Sequence, residues 1–333
     1  MNRKKSDFVL QNLLKFLLIK LLTSLLNFIL KITALITLII VTISGIILVR
    51  NDIDYNYFAA IADKHKYAQS IKKPKIILAG GSSLAFGIAS DSIEKKLNRP
   101  VVNLGLYVGF GLDFILKETL SEVKKGDLVI FSIEYYLKKN EEEYSKQMAA
   151  FAYPPAYEYV GYTGWLDSFE KKAAFFSRYT RNIIFYPNRI KSPKIDDEVS
   201  DYFRKGFSQK GDLLSHLNNS PIRPLKDLAG LKKLDYSSEI QAINQFIRDV
   251  RAKQGEVYWY YPCNSQTGYD MNEEPLKFYE KQIQKNINCL KINTLKDGIY
   301  PDDCFYDTHF HLFGNCRIER TQKLIDTLKN HAF

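Results

Sequence analysis

The sequence has no Cys-x-x-Cys pair among its 4 cysteines and only 5 histidines in 333 residues. The first absence excludes the paired-cysteine zinc sites. The second leaves few side chains able to act as a base near neutral pH. Neither Gly-x-Gly-x-x-Gly nor Gly-Lys-Ser/Thr occurs, so a dinucleotide loop and a P-loop drop out and no cofactor is expected. The Gly-x-Ser-x-Gly of a nucleophile elbow is also missing, and no internal repeat is apparent.

The first fifty residues have almost no acid. They hold seven Lys or Arg (3, 4, 5, 15, 20, 31, 50) against Asp7 alone, which is +6 of the net +10. The basicity is therefore a topology signal, not a nucleic-acid footprint, and no nucleic-acid partner is expected. "ITALITLIIVTISGIILV" (Ile32 to Val49) carries no charge at all and predicts a transmembrane helix. The preceding "LLKFLLIKLLTSLLNFILK" reads either as an interfacial segment or as the start of a tilted span. A cleaved signal peptide is disfavoured, because the apolar run is too long and no small-x-small site follows it. Positive charge before the span places the N-terminus inside a cytoplasmic (inner) membrane, with a single pass and an extracytoplasmic, periplasmic region after Arg50. Cys263, Cys289, Cys304 and Cys316 all lie on that outer side, where disulfides and free buried thiols both remain open.

With 46% hydrophobic and 14% aromatic residues the chain is not disordered. A connector, 51–74, precedes an alternation of strands and helices over 75–333. "KIILAGG" (75–81), "PVVNLG" (100–105) and "DLVIFSIEYY" (127–136) read as strands. "SDSIEKKL" (90–97), with Asp91 as cap and Glu94 at capping-box distance, and "GLDFILKETLSEVKKGD" (111–127) read as helices. An insertion at about 138–235 breaks the rhythm, and helix 237–255, strand 256–262, helix 275–288, strand 289–292 and a helix after Gly314 restore it. The last helix has Ile318, Leu324, Ile325 and Leu328 on its expected apolar face. Such alternation predicts an α/β fold with a parallel sheet wrapped by helices.

Ligands of such sheets sit beyond the carboxyl ends of the strands, where "GGSS", "NLG" and "IEYY" converge. A serine on a tight glycine turn is a candidate nucleophile if a base reaches it. The base is sought in "CFYDTHFHLFGNC", which groups Asp307, His309 and His311. An Asp shortly before a His can fix the imidazole's tautomer and stabilise its charged form. The same three residues also suit a zinc site, though no further ligand set is evident, and a structural Asp–His pair is the bland alternative. Tyr153, Tyr157, Tyr159, Tyr162 and Trp165 suit either sugar stacking or a packed cap.

"GGSSLAFGI", "VNLG" and "FYDTHFHLFG...RT", in this order, resemble the spaced blocks of the SGNH/GDSL hydrolase superfamily over roughly residues 75–330. The resemblance implies a flavodoxin-like three-layer sandwich and a Ser-His-Asp serine hydrolase or acyltransferase. Ser82 matches the nucleophile, with Ser83 as the alternative register, and Gly87 matches the block's trailing glycine. His311 matches the base and Asp307 the acid that orients it. The N–H groups of Ser82 and Gly105 match oxyanion donors. Two positions depart from the pattern. Four residues separate Asp307 from His311 where three are usual, and Glu134 stands where an oxyanion-binding Asn is usual. A carboxylate there repels a developing oxyanion unless it is protonated or turned away.

Membrane-anchored proteins of this type imply an esterase or O-acyltransferase that acts on acyl groups of a cell-surface glycan. A membrane-bound O-acyltransferase is the implied partner, and the bilayer itself is contacted through the N-terminal helix. A catalytically impaired fold serving as an assembly partner in surface-polysaccharide modification or export is the second expectation.

Overall fold

The computed structural model describes residues 2–49, 56–135, 137, 142–185, 194–195, 198–199, 201–226 and 230–331. Arg50 of the topology argument and parts of the expected insertion lie outside these. The apolar N-terminus forms one continuous helix, α1 (Asn2–Val49), and its Asn12–Gly45 stretch is long and apolar enough to cross a membrane. The two segments distinguished in the sequence are thus one helix, and no glycine or proline interrupts it before Gly45.

Beyond α1, a 3-10 turn (Tyr57–Ala59) leads into α2 (Ala60–Ser70). There follow β1 (Ile76–Gly80), α3 (Ser82–Gly87), α4 (Ser90–Leu97), β2 (Val101–Asn103), α5 (Leu112–Glu122) and β3 (Leu128–Ser132). The insertion contains α6 (Glu143–Ala152), α7 (Trp165–Phe185) and the two-residue strands β4 (Lys194–Ile195) and β5 (Glu198–Val199). The chain continues through α8 (Ser237–Ala252), β6 (Glu256–Trp259), β7 (Asn264–Ser265), α9 (Gln266–Met271) and α10 (Glu273–Asn286). It closes with β8 (Leu290–Lys291), β9 (Ile299–Tyr300) and α11 (Gly314–His331).

Five strands pair in parallel in the order β2-β1-β3-β6-β8. The residues of β1, β2 and β3 are buried on both faces, as a continuous apolar run requires of a parallel strand, whereas β6 alternates buried and half-buried residues and Leu290 of the edge strand β8 is exposed. On β1, Ile77 and Ala79 join the larger core with Phe114 of α5 and Ile243 and Ile247 of α8. Ile76 and Leu78 face the opposite way, against Ile93 of α4 and Leu324 and Leu328 of α11. The period of two along the strand thus divides helices between two faces, giving an α/β architecture with helices on both sides of the sheet. Within α11, Ile318 is 50% exposed, whereas Arg317, Arg320 and Thr321 are buried. The expected apolar face is therefore partly polar, and the reason lies in the site described below.

Two further expectations change. Residues 57–70, read as part of a connector, belong to the domain: Tyr57, Ala60, Ile61 and Ala68 enter its core. At the start of α4 the cap is not Asp91. The carboxylate of Asp212, from the insertion, accepts from Ser90 N–H (2.7 Å) and Ser90 Oγ (2.6 Å), while Asp91 and Glu94 pair with Lys210. A distant carboxylate thus does the work assigned to a local one.

α2 carries two buried ionisable residues. Lys64 Nζ donates to the carbonyls of Asn103 (2.9 Å), Gly105 (2.8 Å) and Gly211 (2.5 Å), tying the loop after β2 to the insertion. His65 lies fully buried under the Tyr153 ring, with Nδ1 2.7 Å from Glu122 and Nε2 3.4 Å from Glu118. Burial by itself lowers its pKa; the two carboxylates outweigh that and hold it at about 9, against an ordinary 6.5. The charged form is thus favoured by folding. Its contribution, up to about 3 kcal/mol, is complete below pH 6.5 and vanishes as the pH rises through 9. Melting curves of wild type and His65→Gln should accordingly differ most at pH 6 and converge by about pH 10.

Candidate active site

The site is built where β1 ends. Gly80 has φ +154°, and a Cβ there would stand 1.6 Å from the Ser132 carbonyl oxygen of the neighbouring strand. At Gly81 a Cβ would stand 1.9 Å from Glu134 Oε2. Both glycines are therefore required by the close approach of β1 to β3 and the residues after it. The chain then turns at once into α3. Ser82 is its first residue, so its N–H is among the donors that a helix start leaves without an intrahelical acceptor.

Ser82 Oγ lies 2.8 Å from His311 Nε2, and His311 Nδ1 lies 2.8 Å from Asp307 Oδ1. The three side chains form one hydrogen-bonded series across 229 residues of sequence. Phe86 stacks on the imidazole with ring centroids 3.8 Å apart and planes 5° from parallel, which fixes its tilt. Burial works to raise the Asp307 pKa; the charge and hydrogen bond of His311, with a further hydrogen bond from Tyr202, outweigh it and hold the carboxyl below its usual value. Asp307 is thus ionised beside the ring nitrogen it accepts from. The extra residue between Asp307 and His311 does not prevent the contact.

Tyr202 was not singled out in the sequence. Its O–H donates to Asp307 Oδ2 at 2.5 Å and lies 3.0 Å from His311 Nδ1. Asp307 consequently has a donor on each oxygen. The insertion that supplies Tyr202 braces the site from several sides. Leu213 N–H donates to Ala85 O, Ile222 N–H to Tyr306 O and Lys226 N–H to Asp307 O.

The remaining candidates have definite places. Ser83 Oγ turns away from His311 toward Cys263 Sγ (3.6 Å), and its carbonyl accepts from Arg320 Nη1 (2.8 Å). His309 Nδ1 engages Ser265 Oγ at 2.5 Å, so its ring serves the β7 region and not the Asp307–His311 pair. Among the described residues no group of three or more His, Cys, Asp or Glu is placed to hold a metal ion. Gly105 N–H donates to Asn103 Oδ1 at 3.1 Å and is engaged within its own loop. Asn103 in turn donates to Leu84 O (2.9 Å) and Asp212 Oδ1 (2.8 Å). Gly87 lies under Arg320, where a Cβ would stand 2.4 Å from Nη1. Arg317 Nη2 donates to Ile88 O and Thr321 Oγ1 accepts from Ala89 N–H. These three polar residues of α11 hold the end of α3, which explains why they are buried.

Glu134 is 1% exposed. Its Oε1 accepts from Ser83 N–H at 2.7 Å and lies 3.4 Å from Ser82 Oγ, while Oε2 has no hydrogen-bond partner. Burial raises its pKa; hydrogen bonds, the Ser83 N–H first, and the charge of His311 oppose this only in part. Its proton is therefore held more tightly than that of an ordinary glutamate.

A disulfide joins Cys304 to Cys316, and Cys263 and Cys289 are buried free thiols. The bridge spans 12 residues and brackets the loop that bears Asp307, His309 and His311. Closing a loop of this length is worth about 3 kcal/mol. A Cys304→Ser/Cys316→Ser variant should melt lower, and dithiothreitol should lower the wild-type melting temperature without affecting the variant. Of the aromatic run, Tyr153 covers His65, Tyr157 lies under Lys172, Tyr159 bonds Ser121 and Tyr162 bonds Gln147. These four are packing residues of the cap; Trp165 alone is 81% exposed.

No family model matches the chain, and no curated protein matches it in sequence.

Proposed function

We propose that the protein is a membrane-tethered serine esterase or O-acyltransferase of the SGNH type. The observation that carries this reading is the Ser82–His311–Asp307 series, with both hydrogen bonds at 2.8 Å. The strand order fits as well: counted along the chain, the five sheet strands run 2-1-3-4-5, as in flavodoxin-like sheets, and Ser82 follows the strand at the switch point.

In this mechanism Ser82 Oγ attacks the acyl carbonyl while its proton passes to His311 Nε2. The bond from the acyl carbon to the leaving oxygen then breaks, and His311 returns the proton to that oxygen. The acyl-Ser82 ester is cleaved by water, in an esterase, or by a sugar hydroxyl, in a transferase. Asp307 stabilises the imidazolium and Tyr202 holds Asp307 in place. The oxyanion is met by the Ser82 N–H and, in this reading, by the protonated form of Glu134, whose Oε2 has no hydrogen-bond partner of its own. Gly105 N–H joins them only by giving up Asn103 Oδ1. Acylated cell-surface glycans are the proposed substrates, because a domain tethered to a membrane meets polymers made or exported there, with a membrane-bound O-acyltransferase as the proposed partner. The rival reading, a fold without chemistry that serves as an assembly partner, draws on Glu134 beside Ser82.

The test is to treat the purified full chain in detergent with a fluorophosphonate and to map the adduct. Labelling on the peptide that contains Ser82, with hydrolysis of aryl acetates, supports the enzyme. A folded chain that shows neither supports the rival.

A further inference from the structure

α7 has two apolar sides, and the N-terminal half of one is uncovered. Phe175 and Tyr179 are buried against Phe151 and Tyr144 of α6. Trp165, Phe169 and Ala173, at spacings of four residues, lie along another side and are exposed, while Phe176 at its margin meets the Phe151 ring edge-on. Trp165 is 81% and Phe169 66% exposed, and Leu166 flanks them. Among the described residues, other exposed large hydrophobic side chains such as Leu214, Met271 and Ile318 stand singly on separate elements. A contiguous stripe of this kind marks an interaction surface.

Chain connectivity identifies the occupant. Residues 50–56 alone separate Val49, the end of α1, from Tyr57, a reach of at most about 29 Å. The turn Tyr57–Ala59 that receives this tether packs on α6, and α6 is the helix on which α7 rests. The exposed stripe is therefore one helix removed from the point where a bilayer tether enters the domain. α7 also carries Lys171, Lys172, Arg178 and Arg181 against Asp167 and Glu170. Aromatic residues on one side with an excess of basic residues is the composition of a helix lying in a lipid interface.

We propose that α7 docks into the headgroup region of the bilayer crossed by α1, with Trp165, Leu166 and Phe169 entering the lipid. This rests on α1 spanning a membrane and not on the esterase reading. The two contacts, tether and helix, together hold the domain in one orientation on the membrane.

The test uses the full chain in nanodiscs of phosphatidylcholine and phosphatidylglycerol, with plain or brominated acyl chains. The protein has 2 tryptophans, and Trp259 is fully buried, so subtracting the spectrum of Trp165→Phe isolates Trp165. Brominated lipid should quench Trp165 emission by about half, iodide should not reach it, and Phe169→Asp should weaken the lipid quenching. Trp165 emission that iodide quenches and bromine leaves unchanged overturns the proposal. Emission shielded from both also overturns it, and assigns the stripe to a second copy or another protein.

Discussion

Ser82→Ala is expected to abolish both phosphonate labelling and turnover, while far-UV circular dichroism and melting temperature stay near those of wild type. Ser82 is the first residue of α3, its Oγ bonds His311 and lies 3.4 Å from Glu134 Oε1, and alanine keeps the Cβ and the backbone N–H. In an enzyme with this arrangement, removing the nucleophile or the base lowers kcat by about 10⁶-fold, and removing the acid by about 10⁴-fold. His311→Ala should therefore match Ser82→Ala, Asp307→Ala should retain more activity, and the double variant Ser82→Ala/His311→Ala should be no worse than either single one. Strictly multiplicative losses would show that the residues do not act as a unit. Tyr202→Phe should be milder, since His311 keeps its bond to Asp307.

The glycine turn, the serine, the aspartate and the histidine were legible in the sequence because each is marked locally. A strand that ends on Gly-Gly and an Asp just before a His in a histidine-poor chain carry their own signals. What stayed hidden depends on contacts between distant segments. Tyr202 reaches Asp307 across 105 residues, and Asp212 caps α4 across 122. Neither sits in a pattern, since any polar side chain in a loop-like insertion has the same appearance. α2 was hidden for a different reason. Lys64 and His65 interrupt its apolar spacing, and only the carbonyls of Asn103, Gly105 and Gly211 and the carboxylates of Glu118 and Glu122 make their burial tolerable. The same holds for Arg317 and Arg320, which displaced Ile318 from the buried side of α11.

Glu134 gives the second large effect, and its sign depends on its proton. The oxyanion forms on the carbon bonded to Ser82 Oγ, and Glu134 Oε1 is 3.4 Å from that oxygen. Two negative charges about 4 Å apart repel by about 4 kcal/mol at an effective dielectric of 20, or about a thousandfold in rate. Among the described residues His311, Tyr57 and Cys263 face Glu134, and the Arg320 guanidinium lies one group further off, 3.5 Å from Cys263 Sγ. The raised pKa of Glu134 therefore sets the working range: below it the acid is neutral and the site competent, and activity falls as the pH rises through it. Glu134→Gln imitates the neutral acid, keeping an oxygen for the Ser83 N–H and a donor beside it. It should lose the decline with rising pH that ionisation of Glu134 imposes on wild type. Glu134→Ala leaves the Ser83 N–H without its acceptor and the oxyanion without a donor, so kcat should drop by about 10²-fold. The measurement is kcat/KM for an aryl acetate against pH for the three proteins. If Glu134→Gln is as impaired as Glu134→Ala while both remain folded, the ionised carboxylate is what the site needs, and a neutral Glu134 is refuted.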